Sequence, residues 1–463
     1  MKGYHLFLSL ILFHLCSSCS LKKEQSKKTV YLSDIDITYR AIDSIQRKFG
    51  DTDQSPLKRA GFQHFTKPNA FSFYISEMER ITGKLGEEEK AFYKKLFYDY
   101  IPLNYPTPLQ DPLQYMIYTP LIRKIESSSK TILPGSNYSP KYGTYYHNSI
   151  EAERKSAKND YLILIHSRYI TFCHQMGKVA LQFYKNSNEN IDIPDTSIIK
   201  STLRSAEEIP MNFLYTFLEF NYPKFPINDS LLMETQPWLR RDFVSKAVQY
   251  WNNANETFLI GHEYSHALLK HKIDAEDGNE LMNDALNLQS WQNELQADSL
   301  SQEILCDITA NGKKDSFQMG WNKYLLYGGL FYLNTLKIYE DGQYVMANGM
   351  QPPKLSQSDY QTIMQIIQSK GDLNNLKRFA SLGSAIKSKD HPPTEIRIEL
   401  IERQISKLLS HPYYQQHDID DYEEKTKILA ERMLFALREM NAISGDAFLN
   451  AYKLRDTLNQ KYR

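Results

Sequence analysis

The sequence predicts a mainly α-helical chain of the α+β class, and three observations carry that prediction. Apolar residues recur at helical spacing near 197–220, 239–272, 290–308, 316–340, 358–369 and 393–409. One of these segments is apolar on most sides yet holds His262, Glu263 and His266. The main break in the pattern is the stretch from Asp99 to Pro120, punctuated by Pro102, Pro106, Pro108, Pro112 and Pro120, which reads as an extended connection or edge strand.

Taken in order, the chain begins with Lys2 and an apolar run from Leu6 to Leu15, too short to span a bilayer. Leu15-Cys16-Ser17-Ser18-Cys19 resembles a bacterial lipoprotein signal, with residues 1–18 removed and a lipid on Cys19. A plain secretory signal cut nearby is the other reading. Lys-rich residues 22–28 then form a tether, so the body sits in water beside a membrane of the bacterial cell envelope. Residues 19–155 make an N-terminal region with a helix at Ala41–Phe49. A long amphipathic helix is expected from Asn159 to Tyr184, opening a domain over 156–410. Residues 411–463 read as a charged helical extension.

Composition narrows the function classes. A chain of 463 residues can bury a large core. Lys+Arg and Asp+Glu both number 55, and no basic tract or basic–aromatic pattern points to nucleic acid. Cys173 and Cys306, the cysteines beyond the signal, read as small core residues and not as a disulfide framework. The apolar segment Trp321–Tyr339 is interrupted by Asn322, Lys323, Asn334 and Lys337, so it reads as a core helix and not a membrane span.

The segment Gly261–His271 reads GHEYSHALLKH. Positions i and i+4 of a helix share a face, so His262 and His266 can reach one metal ion, with Glu263 beside it as a general base. The plain alternative is two surface histidines one turn apart. Phe258, Leu259, Ile260, Ala267, Leu268 and Leu269 argue against it, because a buried helix must find partners for its imidazoles. A third ligand is needed for a site with one open position. Glu294 and Asp298 are again i and i+4; one carboxylate can bind metal while the other accepts a hydrogen bond from a ligand histidine. Glu276 and Glu280, in a Gly-containing acidic stretch, compete with Glu294 for the ligand role. Small Ala297 allows the two helices to approach closely.

HExxH followed by ExxAD resembles the gluzincin metallopeptidases, and is most similar to the branch holding the CAAX prenyl proteases and the HtpX- and BepA-type proteases. His271, five residues after His266, and His391-Pro392 followed by Arg397-Ile398 also resemble that branch. The resemblance covers roughly residues 240–410. It implies a zincin-like core with metal-binding helices and a small sheet, one Zn2+ held by His262, His266 and Glu294, Glu263 as base, and Asp298 orienting a ligand histidine. His391 and Arg397 would stand near the active site, steadying an oxyanion or gating access. The implied activity is zinc-dependent endopeptidase cleavage of a peptide or protein substrate. The alternative is a latent zinc-binding lipoprotein with a chaperone-like or scaffolding role. The chain departs from the branch in lacking its internal spanning helices and its tandem helical repeats.

Overall fold

The computed structural model describes residues 30–31, 37–50, separate positions from 71 to 110, and 112–135, 140–145, 152–157, 160–181, 195–205, 208–222, 242–271, 280–310, 324–369, 373–383, 386, 391–410 and 421–462. The signal, Cys19 and the tether lie outside them. The described residues are mostly helical, with a two-stranded and a three-stranded sheet. None of their helices is long and apolar enough to cross a membrane.

The order begins with β1 (Val30–Tyr31), α1 (Ile37–Gly50), β2 (Asn104–Tyr105) and α2 (Pro112–Ile132). Next come β3 (Lys141–Tyr145), β4 (Ala152–Ala157), β5 (Asp160–His166), α3 (Ser167–Ala180), α4 (Thr196–Ser205) and α5 (Glu208–Asn221). The second half holds α6 (Asp242–Leu268), α7 (Glu280–Ala310), α8 (Gly328–Asn348), α9 (Gln357–Gln368), α10 (Leu373–Ala380), α11 (Thr394–Leu409), α12 (Asp421–Lys453) and α13 (Arg455–Tyr462).

Two sequence expectations fail for identifiable reasons. Among its described residues the proline-rich stretch is extended at β2, but Pro112 opens α2 and Pro120 lies inside that helix. A proline inside a helix removes one backbone hydrogen bond. Tyr118, Leu121, Ile122 and Ile125, spaced one turn apart, outweigh that loss by burying one face of α2. The helix expected from Asn159 is strand β5 up to His166, and α3 starts only at Ser167. Leu162, Ile163, Leu164 and Ile165 are buried on both faces of the central strand, and such an apolar run has no period to distinguish it from a helix.

The larger sheet has the order β3-β5-β4, with β3 parallel and β4 antiparallel to β5. Its β3 edge is blunted by Gln110, whose Oε1 accepts from Thr144 N at 2.9 Å while its Nε2 donates to Thr144 Oγ1 at 2.7 Å. The boundary expected between 155 and 156 falls inside β4, so the sheet joins the two regions drawn from the sequence.

Helix α6 is the axis of the molecule, and its residues from Trp251 to Ala267 are almost all buried. On one side Ile260 and Tyr264 pack with Tyr118, Ile122 and Ile125 of α2, Ile163 and Ile165 of β5, and Leu300 and Ile304 of α7. On the other side Trp251, Ala254 and Phe258 enter the main core, where Trp251 stacks on Phe331 of α8 at 4.3 Å. Leu429, Met433, Leu437 and Phe448 of α12 belong to that same core, so this part of the expected extension is integral to it. A third cluster, with Trp291 edge-on to Phe379 at 5.0 Å and Ile363 and Ile396 nearby, braces α7 against α9, α10 and α11.

The seam between α6 and α7 is built from small residues. A Cβ on Gly261 would lie 2.7 Å from Ser301 Oγ, which itself donates to the Phe258 carbonyl at 2.8 Å. Ala297 is fully buried in α7. Helix α6 also buries Glu256, 2% exposed, and burial pushes its carboxyl pKa up to about 8.

Candidate metal centre

The seam brings three predicted side chains to one point. His262 and His266 face α7 one turn apart, and Glu294 reaches both. Its Oε2 is 3.2 Å from His262 Nε2 and its Oε1 is 3.1 Å from His266 Nε2. The two Nε2 atoms are 3.1 Å apart. One donor atom from each of the three residues falls within 4.8 Å of the others, and all three side chains are buried. Among the described residues this buried group could hold a metal ion. Of the competing acids, Glu276 lies outside the described residues, as does the side chain of Glu280.

The donor set fits a cation. Glu294 Oε2 is buried and receives no directed hydrogen bond, although His262 Nε2 and His391 Nδ1 lie 3.2 and 2.9 Å away. An unsatisfied carboxylate oxygen facing two imidazole Nε2 atoms is the environment that a bound cation completes.

Behind the donors stands a charged pair. Asp298 Oδ1 is 2.9 Å from His262 Nδ1, and Arg397 grips the same carboxylate with Nε at 2.7 Å and Nη2 at 2.8 Å. Both residues are buried, so the pair is strong only because its geometry is bidentate. Burial opposes the charge on Asp298, but Arg397 and His262 outweigh it and hold the pKa down to about 2. Burial likewise opposes protonation of His262, yet Glu294 and Asp298 raise its pKa to about 10. Glu294 is held well below the carboxylate range despite burial, chiefly by His391 and His262.

Glu263 is buried on α6 next to the first donor histidine, at 8% exposure. His391 is 42% exposed in the turn before α11 and approaches Glu294. Arg397 is 3% exposed and lies behind Asp298, with its Nη2 3.8 Å from Glu294 Oε2.

Two further residues join the cluster. His271 Nδ1 is 2.8 Å from His266 Nδ1, and His271 Nε2 is 3.0 Å from Gln296 Oε1. In the sequence His271 is singled out by the family resemblance alone. Gln296 gives no signal there, because two residues after Glu294 it lies off the Glu294–Asp298 face and reads as a solvated glutamine. Cys173 and Cys306 are buried and form no disulfide, and burial pushes the Cys306 thiol up to about 12.

Compared with known proteins, the chain matches no family model, no curated protein and no solved structure.

Proposed function

We propose that this chain is a zinc-dependent endopeptidase of the gluzincin type, with a zincin-like core, anchored by lipid in a bacterial cell envelope. The observation that carries the reading is the convergence of His262, His266 and Glu294 on one point, with Asp298 and Arg397 behind the first histidine. Zinc held there would supply Lewis acidity and lower the pKa of water towards about 7.

The chain's own groups divide the remaining work. His262, His266 and Glu294 would hold the metal, and Asp298 would keep the His262 Nδ1 proton in place so that Nε2 presents its lone pair. Glu263 takes a proton from the attacking water and delivers it to the leaving amine. Arg397 acts through Asp298 and keeps that carboxylate charged. His391, the more exposed member and a neighbour of Glu294, would donate to a developing oxyanion.

The latent reading draws on one observation: His391 already rests 2.9 Å from the carboxylate of Glu294. Two measurements separate the readings. Zinc content of the purified protein is compared with Glu294→Ala and Glu276→Ala, and cleavage of an unfolded protein substrate is compared with Glu263→Gln. The peptidase reading expects one zinc per chain, lost only in Glu294→Ala, and turnover that falls by orders of magnitude in Glu263→Gln while zinc is retained. Bound zinc with no turnover in the parent protein supports the latent reading. No zinc in the folded parent sinks both.

A further inference from the structure

Helix α6 does not simply run out after the second histidine. Lys270 adopts a left-handed conformation, φ 55°, and the His271 backbone N–H returns to the His266 carbonyl at 3.1 Å. This is a six-residue helix-closing turn of the kind that normally ends on glycine. A lysine there carries a steric cost of about 1 kcal/mol. The turn folds the His271 ring against His266, with ring centroids 5.0 Å apart and planes at 74°.

The hydrogen-bond order along this arm follows from what each atom can do. Gln296 Oε1 only accepts, so the proton of a neutral His271 sits on Nε2. Its Nδ1 is then an acceptor, and His266 must donate from Nδ1. That leaves His266 Nε2 with its lone pair aimed at His262 and Glu294. Turning the Gln296 amide over reverses the chain and places a proton on His266 Nε2, where a metal must bind.

We propose that His271 and Gln296 are positioning residues that fix the tautomer and ring plane of His266. They are the neutral counterpart of the charged arm that Asp298 and Arg397 supply to His262. The proposal rests on the metal-centre reading above. It assigns the two ligand histidines different backing: one anionic and buried, the other neutral and ending at an exposed amide.

The test is long-range 1H–15N correlation on histidine-labelled protein, with and without Zn2+, alongside zinc affinity by chelator competition. The expected result is a proton on Nδ1 of His266 in both states of the parent. His271→Phe should lose that signature and bind zinc about 10–100-fold more weakly. His271→Asn, whose amide oxygen can accept the same hydrogen bond, should recover part of the loss. Gln296→Glu, which keeps an acceptor and makes no demand on the core, should preserve the tautomer and most of the affinity. A proton on His266 Nε2 in the parent overturns the proposal, and so does undiminished zinc affinity in folded His271→Phe. A parent that takes up no zinc defeats the metal reading instead, and the metal-free tautomer still decides whether the relay exists.

Discussion

Arg397 holds both carboxylate oxygens of Asp298 from a helix 99 residues further along the chain, at 2.7 and 2.8 Å. The pair ties α11 to α7 directly behind His262. Asp298→Ala should therefore weaken zinc binding by roughly 10–100-fold, read by chelator competition. Arg397→Met should also destabilise the fold, because it leaves the buried Asp298 carboxylate with His262 alone to balance its charge. A stability loss of about 3–5 kcal/mol is expected in denaturant titrations. Equal, small effects of the two substitutions would mean that the pair does not support the donors.

Metal uptake should release a proton near neutral pH. Glu294 and Asp298 raise the His262 pKa from 6.5 to about 10 in the metal-free protein, so a metal must displace that proton. The sign follows from the raised value: the stabilisation from protonated His262 is complete below pH 6.5 and is lost as pH rises through 10. Metal affinity runs the other way and should climb by up to about tenfold per pH unit between these limits. Calorimetry in buffers of different ionisation enthalpy counts the proton directly, and a zero count would contradict the charge state assigned to His262.

Gly261→Ala should separate the two donor helices. Its Cβ would meet Ser301 Oγ at 2.7 Å, and that hydroxyl is occupied with the Phe258 carbonyl. A loss of about 1–3 kcal/mol is expected from overpacking. Gly261→Ala combined with Ser301→Gly should restore much of the stability and the zinc affinity. Failure of the double variant to recover either quantity would show that the seam is not the cause.

Glu256→Gln should stabilise the protein at alkaline pH. The folded protein keeps the Glu256 proton until about pH 8, whereas the unfolded chain releases it near 4.5. Stability therefore falls as pH rises from 4.5 to 8, and an amide of the same shape escapes that loss. The variant's melting temperature should match the parent's near pH 5 and exceed it by a few °C at pH 8. A constant difference across that range would rule out titration of Glu256.

The legible part of the site was local. His262, Glu263 and His266 declare themselves by spacing on an apolar helix, and Glu294 and Asp298 by repeating the same spacing on the next helix. The mostly helical class follows from the same periodicity. What was not legible depends on distant partners. Strand β5 looks like helix until β3 and β4 flank it, and α2 looks broken by Pro120 until Tyr118 and Ile122 find α6. Gln296 has no local mark because its contact with His271 depends on a turn at Lys270, twenty-six residues earlier. Arg397 was singled out by its motif, but its burial behind Asp298 is a tertiary fact.

Helix α12 also links a later part of the chain to the metal centre. Every proposed donor and both arms behind them are synthesised before Asp421, yet Leu429, Met433, Leu437 and Phe448 of α12 fill the core against which α8 backs the metal helix. A chain cut before Asp421 would keep the whole proposed donor set and both arms but would lose those four residues from the core. The donors are thus close together in the sequence, while the core that backs them draws on a helix well downstream of them all.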